Sequence, residues 1–175
     1  MKVILVMVSS LDGKITKHQD PQIASWTSTE DKKLFAALIK KSALIVMGAG
    51  TYETAKDRIK LESGKLRIVI TRHPAKYRKA RVPGMLEFSS ESPRVLVQRL
   101  RKRYRTILLV GGGEINTLFL KANLVNELHL TLEPLLFGTG KPMVSSIPLD
   151  LSLKLTSIKK INASGTLSSV YRVVK

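Results

Sequence analysis

The stretch TILLVGGGEINTLFL, Thr106 to Leu120, sets the reading of the whole chain. An apolar run of strand length meets three consecutive glycines, and a helical pattern follows at once. Glycines at a strand end serve two purposes. They let a large anionic group touch the backbone where a helix N-terminus offers free N–H groups and the positive end of its dipole. They also let a helix pack closely on a strand. Which purpose holds depends on what the rest of the chain brings to the same place.

Outward from this unit the chain alternates. KVILVMV (2–8) reads as a first strand and is followed by a loop with an Asp-Gly turn. WTSTEDKKLFAALIKKS reads as a helix, with Thr27 and Glu30 at capping-box spacing and Leu34, Leu38 and Lys41 marking a face. ALIVMG (43–48) is a second buried strand stopped by glycines, and a short helix starts at TYETAKDRI. LRIVIT (66–71) is a third strand, MLEFS (85–89) a fourth, and SPRVLVQRLRKR a helix with Pro93 in its first turn. The tail changes character. NELHLTLEPLL alternates as a strand does, and residues 153–174 read as two strands joined at Ala163–Ser164–Gly165. The pattern predicts one α/β domain over residues 1–175. Helices cover both faces of a mostly parallel sheet, three layers in all, with antiparallel strands at the C-terminal edge.

Composition bounds the function. The 175 residues are 43% hydrophobic and 25% charged, which suits a single folded domain. There are no cysteines, so disulfides, thiolate metal sites and thiol nucleophiles are excluded, and a reducing cytoplasm is the expected setting. No apolar run is long enough to span a bilayer, and the N-terminal run reads as a strand, not a leader. The formal net charge is +17, a field that draws phosphates, nucleotides or nucleic acid. The densest basic cluster, RLRKRYR (99–105), reads as the solvated end of a helix, since aromatics for base stacking make up only 5% of the chain. The three histidines, His18, His73 and His129, show no metal-ligand spacing.

Ligands of open α/β sheets bind beyond the carboxyl ends of the strands. Three such ends stand out: Gly48–Ala49–Gly50–Thr51, Thr71–Arg72–His73 and Gly111–Gly112–Gly113–Glu114. Two glycine turns ahead of helices and an arginine on a neighbouring strand describe a site for a phosphate-rich nucleotide. Neither turn is a G-x-G-x-x-G fingerprint or a Walker loop. Asp31, one turn into a helix, suits either a ring-binding, proton-donating carboxylate or a first-turn acid that complements the dipole. Asp12 suits either a catalytic acid or the turn ahead of Gly13, and Trp26 either core or pocket wall.

Taken in order, SLDGKIT, SWTSTED, IVMGAGTYE, VITR and LLVGGGEINTLFL…NLVNELHLTLEPLLFG resemble the reductase domain of riboflavin biosynthesis, within the dihydrofolate reductase superfamily. The resemblance covers most of the chain. It implies a dihydrofolate-reductase-like fold, NADPH as cofactor, a homodimer, and reduction of a phosphorylated heterocycle, a ribosylamino-pyrimidine phosphate in that pathway. Carried over by position, Gly48, Ala49, Gly50 and Thr51 line the pyrophosphate. Thr71 and Arg72 hold the 2′-phosphate end. Gly111, Gly112, Gly113, Glu114 and Ile115 form the loop over the pyrophosphate. Ser10, Asp12, Lys14, Trp26, Ser28, Asp31 and Arg58 fall on the substrate side, with Asp31 and Asp12 as candidate proton donors. This sequence departs from the riboflavin reductases where their acidic pair aligns with Ala55 and Lys56, and where a glutamate before the glycine loop is Val110. Both departures fall on the substrate side, so dihydrofolate or another pteridine is the alternative substrate. A non-catalytic module binding nucleotide or nucleic acid is the alternative of another class.

Overall fold

A computed structural model describes all residues, Met1–Lys175. Strands are β1 (Lys2–Ser10), β2 (Leu44–Gly48), β3 (Leu66–Ile70), β4 (Leu86–Ser89), β5 (Thr106–Leu109), β6 (Glu127–Glu133), β7 (Leu153–Lys160) and β8 (Leu167–Val173). Helices are α1 (Thr29–Lys41), α2 (Ala49–Ala55), α3 (Pro93–Leu100) and α4 (Gly113–Lys121), with short 3-10 turns at 23–25, 56–58 and 74–80. The sheet order is β4-β3-β2-β5-β1-β6-β8-β7. Neighbours pair in parallel except β8, which runs antiparallel to both β6 and β7. The C-terminal hairpin turns where expected, with Gly165 at φ +98°.

The central strands are apolar because both faces of the sheet are covered there, while the edge strand β7 is largely exposed. β2 and β3 are buried along their whole length. One face carries the larger core, where Leu96 and Leu100 of α3 and Phe119 of α4 pack on Leu5, Leu44, Ile68 and Leu109. The other carries a smaller cluster of Val6, Ile45, Met47, Val69 and Leu108 under Tyr52 of α2, with Leu38 and Ile39 of α1 at its margin. The three expected layers are present, and the parallel part of the sheet directs six strand ends to one side.

Two local expectations are corrected. The N-cap of α1 is Ser28, not Thr27: the Ser28 side chain accepts from the Asp31 backbone N–H at 3.2 Å. In a capping box the N3 acid accepts the N-cap N–H. Here Glu133 of β6, 105 residues away, accepts the Ser28 N–H at 2.8 Å and takes that part, so Glu30 is not needed for it. The helix face also differs. Leu34 is 41% exposed and Lys41 is exposed, while the buried residue is Asp31. Boundaries shift as helix ends usually do: α2 starts at Ala49, and α3 ends at Leu100, leaving Arg101–Arg103 exposed. Arg99 chelates Glu91 through Nε and Nη2 and reaches Glu87, so part of the basic cluster is tied to the loop ahead of α3 and to β4.

Candidate active site

The carboxyl ends of β2, β3 and β5 open into one cavity of about 1600 Å³. Its size exceeds the ~300–1,000 Å³ of a single-ligand pocket. It gathers Gly48, Ala49, Gly50, Thr51, Thr71, Arg72, Gly112, Gly113, Glu114 and Ile115, together with Arg58 and Asp31. Residues from sequence positions far apart, singled out by local pattern or by the family resemblance, thus share one space.

The glycines divide by what surrounds them. A Cβ on Gly48 would sit 2.6 Å from Cγ1 of Ile115, and one on Gly113 would collide with the Pro142 carbonyl oxygen. Gly111 has φ +87° and Sδ of Met7 at 2.9 Å from the Cβ position, and it is outside the cavity lining. These three are glycine for packing or backbone reasons. Gly50 has nothing within 4 Å of its Cβ position, and Gly112 meets only ordinary contacts, Thr51 Oγ1 at 3.5 Å and Ile15 Cδ1 at 3.8 Å. Their Cβ-free surface lies on the cavity instead. The Gly111–Gly112 peptide is cis. Packing constraint and open cavity surface are thus both present in the triple glycine, on different residues.

Around the cavity stand Lys32, Arg58, Lys60, Arg67, Arg72, Lys76 and Lys141, against Asp31, Glu62, Glu91 and Glu114. Glu91 is bound to Arg99 and Glu62 to Lys65, which leaves the wall electropositive. Arg72 is exposed beyond the end of β3. Near it, Tyr77 stacks on Phe88 with centroids 4.5 Å apart, and Tyr52 meets both rings edge-on. Arg58 is held by Gln22 Oε1 at 3.2 Å and the Thr54 carbonyl at 3.0 Å.

Asp31 is the buried acid of the cavity, 8% exposed. Burial pushes its pKa up, a hydrogen bond with Thr131 opposes that, and the Glu133 charge adds to the rise. Glu133, 3% exposed, takes the Ser28 N–H and the Thr166 hydroxyl at 2.7 Å. Sequence reading passed over Thr131, Glu133 and Arg67. The available signal was a polar residue inside an otherwise apolar strand, LTLE and LRIVI.

The remaining substrate-side residues are not in the cavity. Ser10 donates to Asp12 at 2.6 Å, and Asp12 also accepts the N–H groups of Phe137 and Gly138. The Ser10 bond leads the lowering of the Asp12 pKa, so this carboxylate is an ionised clamp between two loops. Lys14 closes the same turn through its backbone. Trp26 and Ser28 line a separate pocket of about 190 Å³ beside Glu133 and Thr166, and Trp26 meets Phe137 edge-on at 5.2 Å.

YwjB of Bacillus subtilis, an uncharacterized protein, is 26% identical over 97% of both chains. Two solved structures share the fold. A pyrimidine reductase-like protein from Corynebacterium diphtheriae aligns with TM-score 0.78 at 17% identity, over 99% of this chain and 92% of that one. A diaminohydroxyphosphoribosylaminopyrimidine deaminase/5-amino-6-(5-phosphoribosylamino)uracil reductase from Thermotoga maritima aligns with TM-score 0.77 at 19% identity, over 99% of this chain and 56% of that one. The family model of the RibD C-terminal domain matches residues 1–166, a span that holds both glycine turns, Asp31 and Glu133. The chain belongs to the RibD C-terminal domain family.

Proposed function

We propose that this chain is an NADPH-dependent reductase of a phosphorylated heterocycle, in first place a ribosylamino-pyrimidine 5′-phosphate of riboflavin biosynthesis. The observation that carries the reading is a single cavity with helix N-termini and cations at one end and the buried Asp31 at the other. The residues fit the cofactor. The open faces of Gly50 and Gly112 admit a pyrophosphate to the backbone, the first turn of α4 directs N–H groups to it, and Arg72 and Lys76 suit a 2′-phosphate. When bound, the reduced nicotinamide supplies a hydride to the carbon of a C=N bond, whose nitrogen takes a proton. Asp31 holds that proton. Its burial keeps the carboxylic acid populated to higher pH than an exposed aspartate. Lys32 and Arg58 face the same space and suit the substrate phosphate. The cavity volume leaves room for both ligands side by side, which is the proximity the reaction needs.

A dihydropteridine substrate is the second reading. It is favoured by Asp31 itself, bonded to Thr131 and able to meet the amidine edge of a ring, where the acidic pair of riboflavin reductases is replaced by Ala55 and Lys56. A homodimer in the cytoplasm belongs to the same proposal. Leu153, Leu155 and Ile158, about half exposed on one face of the edge strand β7, are an apolar surface for it. Fluorescence titration with NADPH and NADH tests the cofactor, followed by turnover of the pyrimidine phosphate against dihydrofolate. Failure of both nucleotides to bind would sink the reductase reading. A light-scattering mass of one chain would sink the dimer.

A further inference from the structure

A row of cations collects at the end of the sheet opposite the glycine turns. β1, β2, β5 and β6 run in parallel, so their first residues share one end, and the antiparallel β8 and β7 bring their last and first residues to it. In sheet order this rim carries Lys40 and Lys41 ahead of β2, then Arg101, Lys102, Arg103 and Arg105 ahead of β5, then Lys2 on β1. It continues with Arg172 on β8 and Lys154 on β7, which are partners in register. All of these residues are exposed. Asn126 fixes the middle of the rim. Its side chain accepts the Val3 N–H at 2.8 Å and its carbonyl accepts the Val173 N–H at 2.9 Å, which ties the end of β8 to the start of β1. Five strand spacings separate β2 from β7, so the rim is roughly 24 Å long.

Little negative charge stands against this row. Glu127 on β6 pairs with Lys2 at 2.7 Å and with His129 at 3.2 Å, and the other cations of the rim have no acid partner. Asp150, ahead of β7, is the other acid of this end. Beyond β2 the rim stops at Lys65, which is buried and paired with Glu62 at 3.1 Å. Some of the cations complement the C-terminal ends of α1 and α3. Lys2, Arg105, Lys154 and Arg172 lie on strands or just before one, where no helix ends, so dipole complement does not account for them. Like charges held this close repel one another, a cost to the fold that a bound polyanion removes. Within the row the Arg103 guanidinium lies 5.5 Å from the centre of the half-buried Tyr104 ring. An arginine beside an aromatic ring is a platform on which an unpaired base stacks.

We propose that this rim is a docking surface for a single-stranded polynucleotide, whose phosphates follow the cation row from Lys41 to Lys154 while a base stacks at Arg103 and Tyr104. The Arg103–Tyr104 pair is what favours a polynucleotide over other polyanions. The rim has no protruding helix or two-stranded ribbon to enter a duplex groove, which favours the single strand. None of its cations lines the cavity, so the surface stands apart from the reductase reading, and both ends of the sheet can be occupied at once.

The test follows the fluorescence anisotropy of a dye-labelled oligouridine of about 20 nucleotides over a series of salt concentrations. The proposal expects saturable binding with a slope of log K on log salt of about −2 or steeper, which corresponds to roughly three phosphates neutralised on a single strand. Two variants probe opposite ends of the rim. Arg101→Gln/Lys102→Gln/Arg103→Gln should weaken binding by about tenfold or more and make the slope shallower. Lys154→Gln/Arg172→Gln, on other elements, should weaken it severalfold. Lys159→Gln/Lys160→Gln removes the same charge as the second variant from the far end of β7, outside the rim, and should leave the affinity unchanged. Equal losses in these two pairs would mean unlocalised attraction to a chain of net charge +17 and overturn the proposal, as would binding indifferent to both rim variants. Failure of the oligouridine to bind overturns it too, including the case in which phosphatidylserine vesicles bind instead. Displacement of the oligouridine by NADPH would put it in the cavity and overturn it as well. Should one rim variant not fold, the other decides. Absence of NADPH binding by the wild-type protein would strike the reductase reading and leave the rim result standing.

Discussion

The two ends of the cavity are built differently. The end at β2 and β5 is backbone: two strand–glycine–helix units whose open faces and helix N-termini come from contiguous residues. The end at α1 is side chains drawn from across the chain: Asp31 on a helix and Arg67 on β3 line it, and Thr131 and Glu133 of β6 stand behind Asp31. A backbone site is made once the local motif folds. A side-chain site exists only when distant strands are in register, so each of its members depends on the others. The first end suits the part of a ligand that is common to many enzymes, and the second the part that differs.

The contrast is sharpest within the triple glycine. Gly113→Val should lose about 3 kcal/mol of stability, because its Cβ drives into the Pro142 backbone, which has no flexible end to give way. Urea unfolding measures this. Gly112→Ala, one residue before, should unfold at the same urea concentration as the wild type but bind NADPH more weakly. If Gly112→Ala binds NADPH normally, the backbone end is a packing device alone and the comparison breaks.

At the other end, Glu133→Ala should cost about 2 kcal/mol, since the Ser28 N–H and Thr166 hydroxyl lose a buried acceptor. Activity should fall with it, because α1 loses the tie that fixes Asp31. Glu133→Gln keeps an acceptor and should lose less. Stability unmoved by Glu133→Ala would show that α1 is held elsewhere.

Arg72→Gln should reduce the preference for NADPH over NADH by about tenfold, one charge-assisted contact to the 2′-phosphate. The ratio of the two dissociation constants is the measurement, and no change in it removes Arg72 from the site.

The smallest effect on the fold is at Asp31. A folded-state pKa raised above the unfolded value means the folded protein holds this proton more tightly. The resulting stabilisation is fully present below the unfolded pKa and is lost as pH rises through the folded one. At neutral pH the desolvated carboxylate is therefore a net burden. Asp31→Asn should raise the melting temperature slightly at pH 7 while lowering turnover, and the gain should vanish in acid. Equal melting temperatures at all pH values would mean that Asp31 is solvated like a surface acid.

Much of this was legible in the sequence because it is local. Apolar runs of strand length, glycine punctuation and helical spacing are short-range patterns, and the alternation of β and α implies a parallel sheet once right-handed connections are granted. The same locality misled where a distant residue replaced a near one. Thr27 and Glu30 have the spacing of a capping box, but Glu133 supplies the acceptor and moves the cap to Ser28. Leu34 has the spacing of a core face, but the cavity takes the space beneath α1 and turns Leu34 outward. Ser10, Asp12 and Lys14 sit at a strand end, as ligand-binding residues do, yet the Ser10 and Asp12 side chains and the Lys14 backbone close their own turn, and Asp12 clamps residues 137–138.

By itself the sequence determined the class of fold, the order of its elements and the two glycine turns ahead of helices, since each follows from residues within about a helix turn or a strand's length of one another. Only the tertiary structure decided which glycines are free, which carboxylate is buried and which cations lack a partner. Those are properties of what stands opposite a residue, and in a parallel sheet what stands opposite is set by register between strands tens of residues apart.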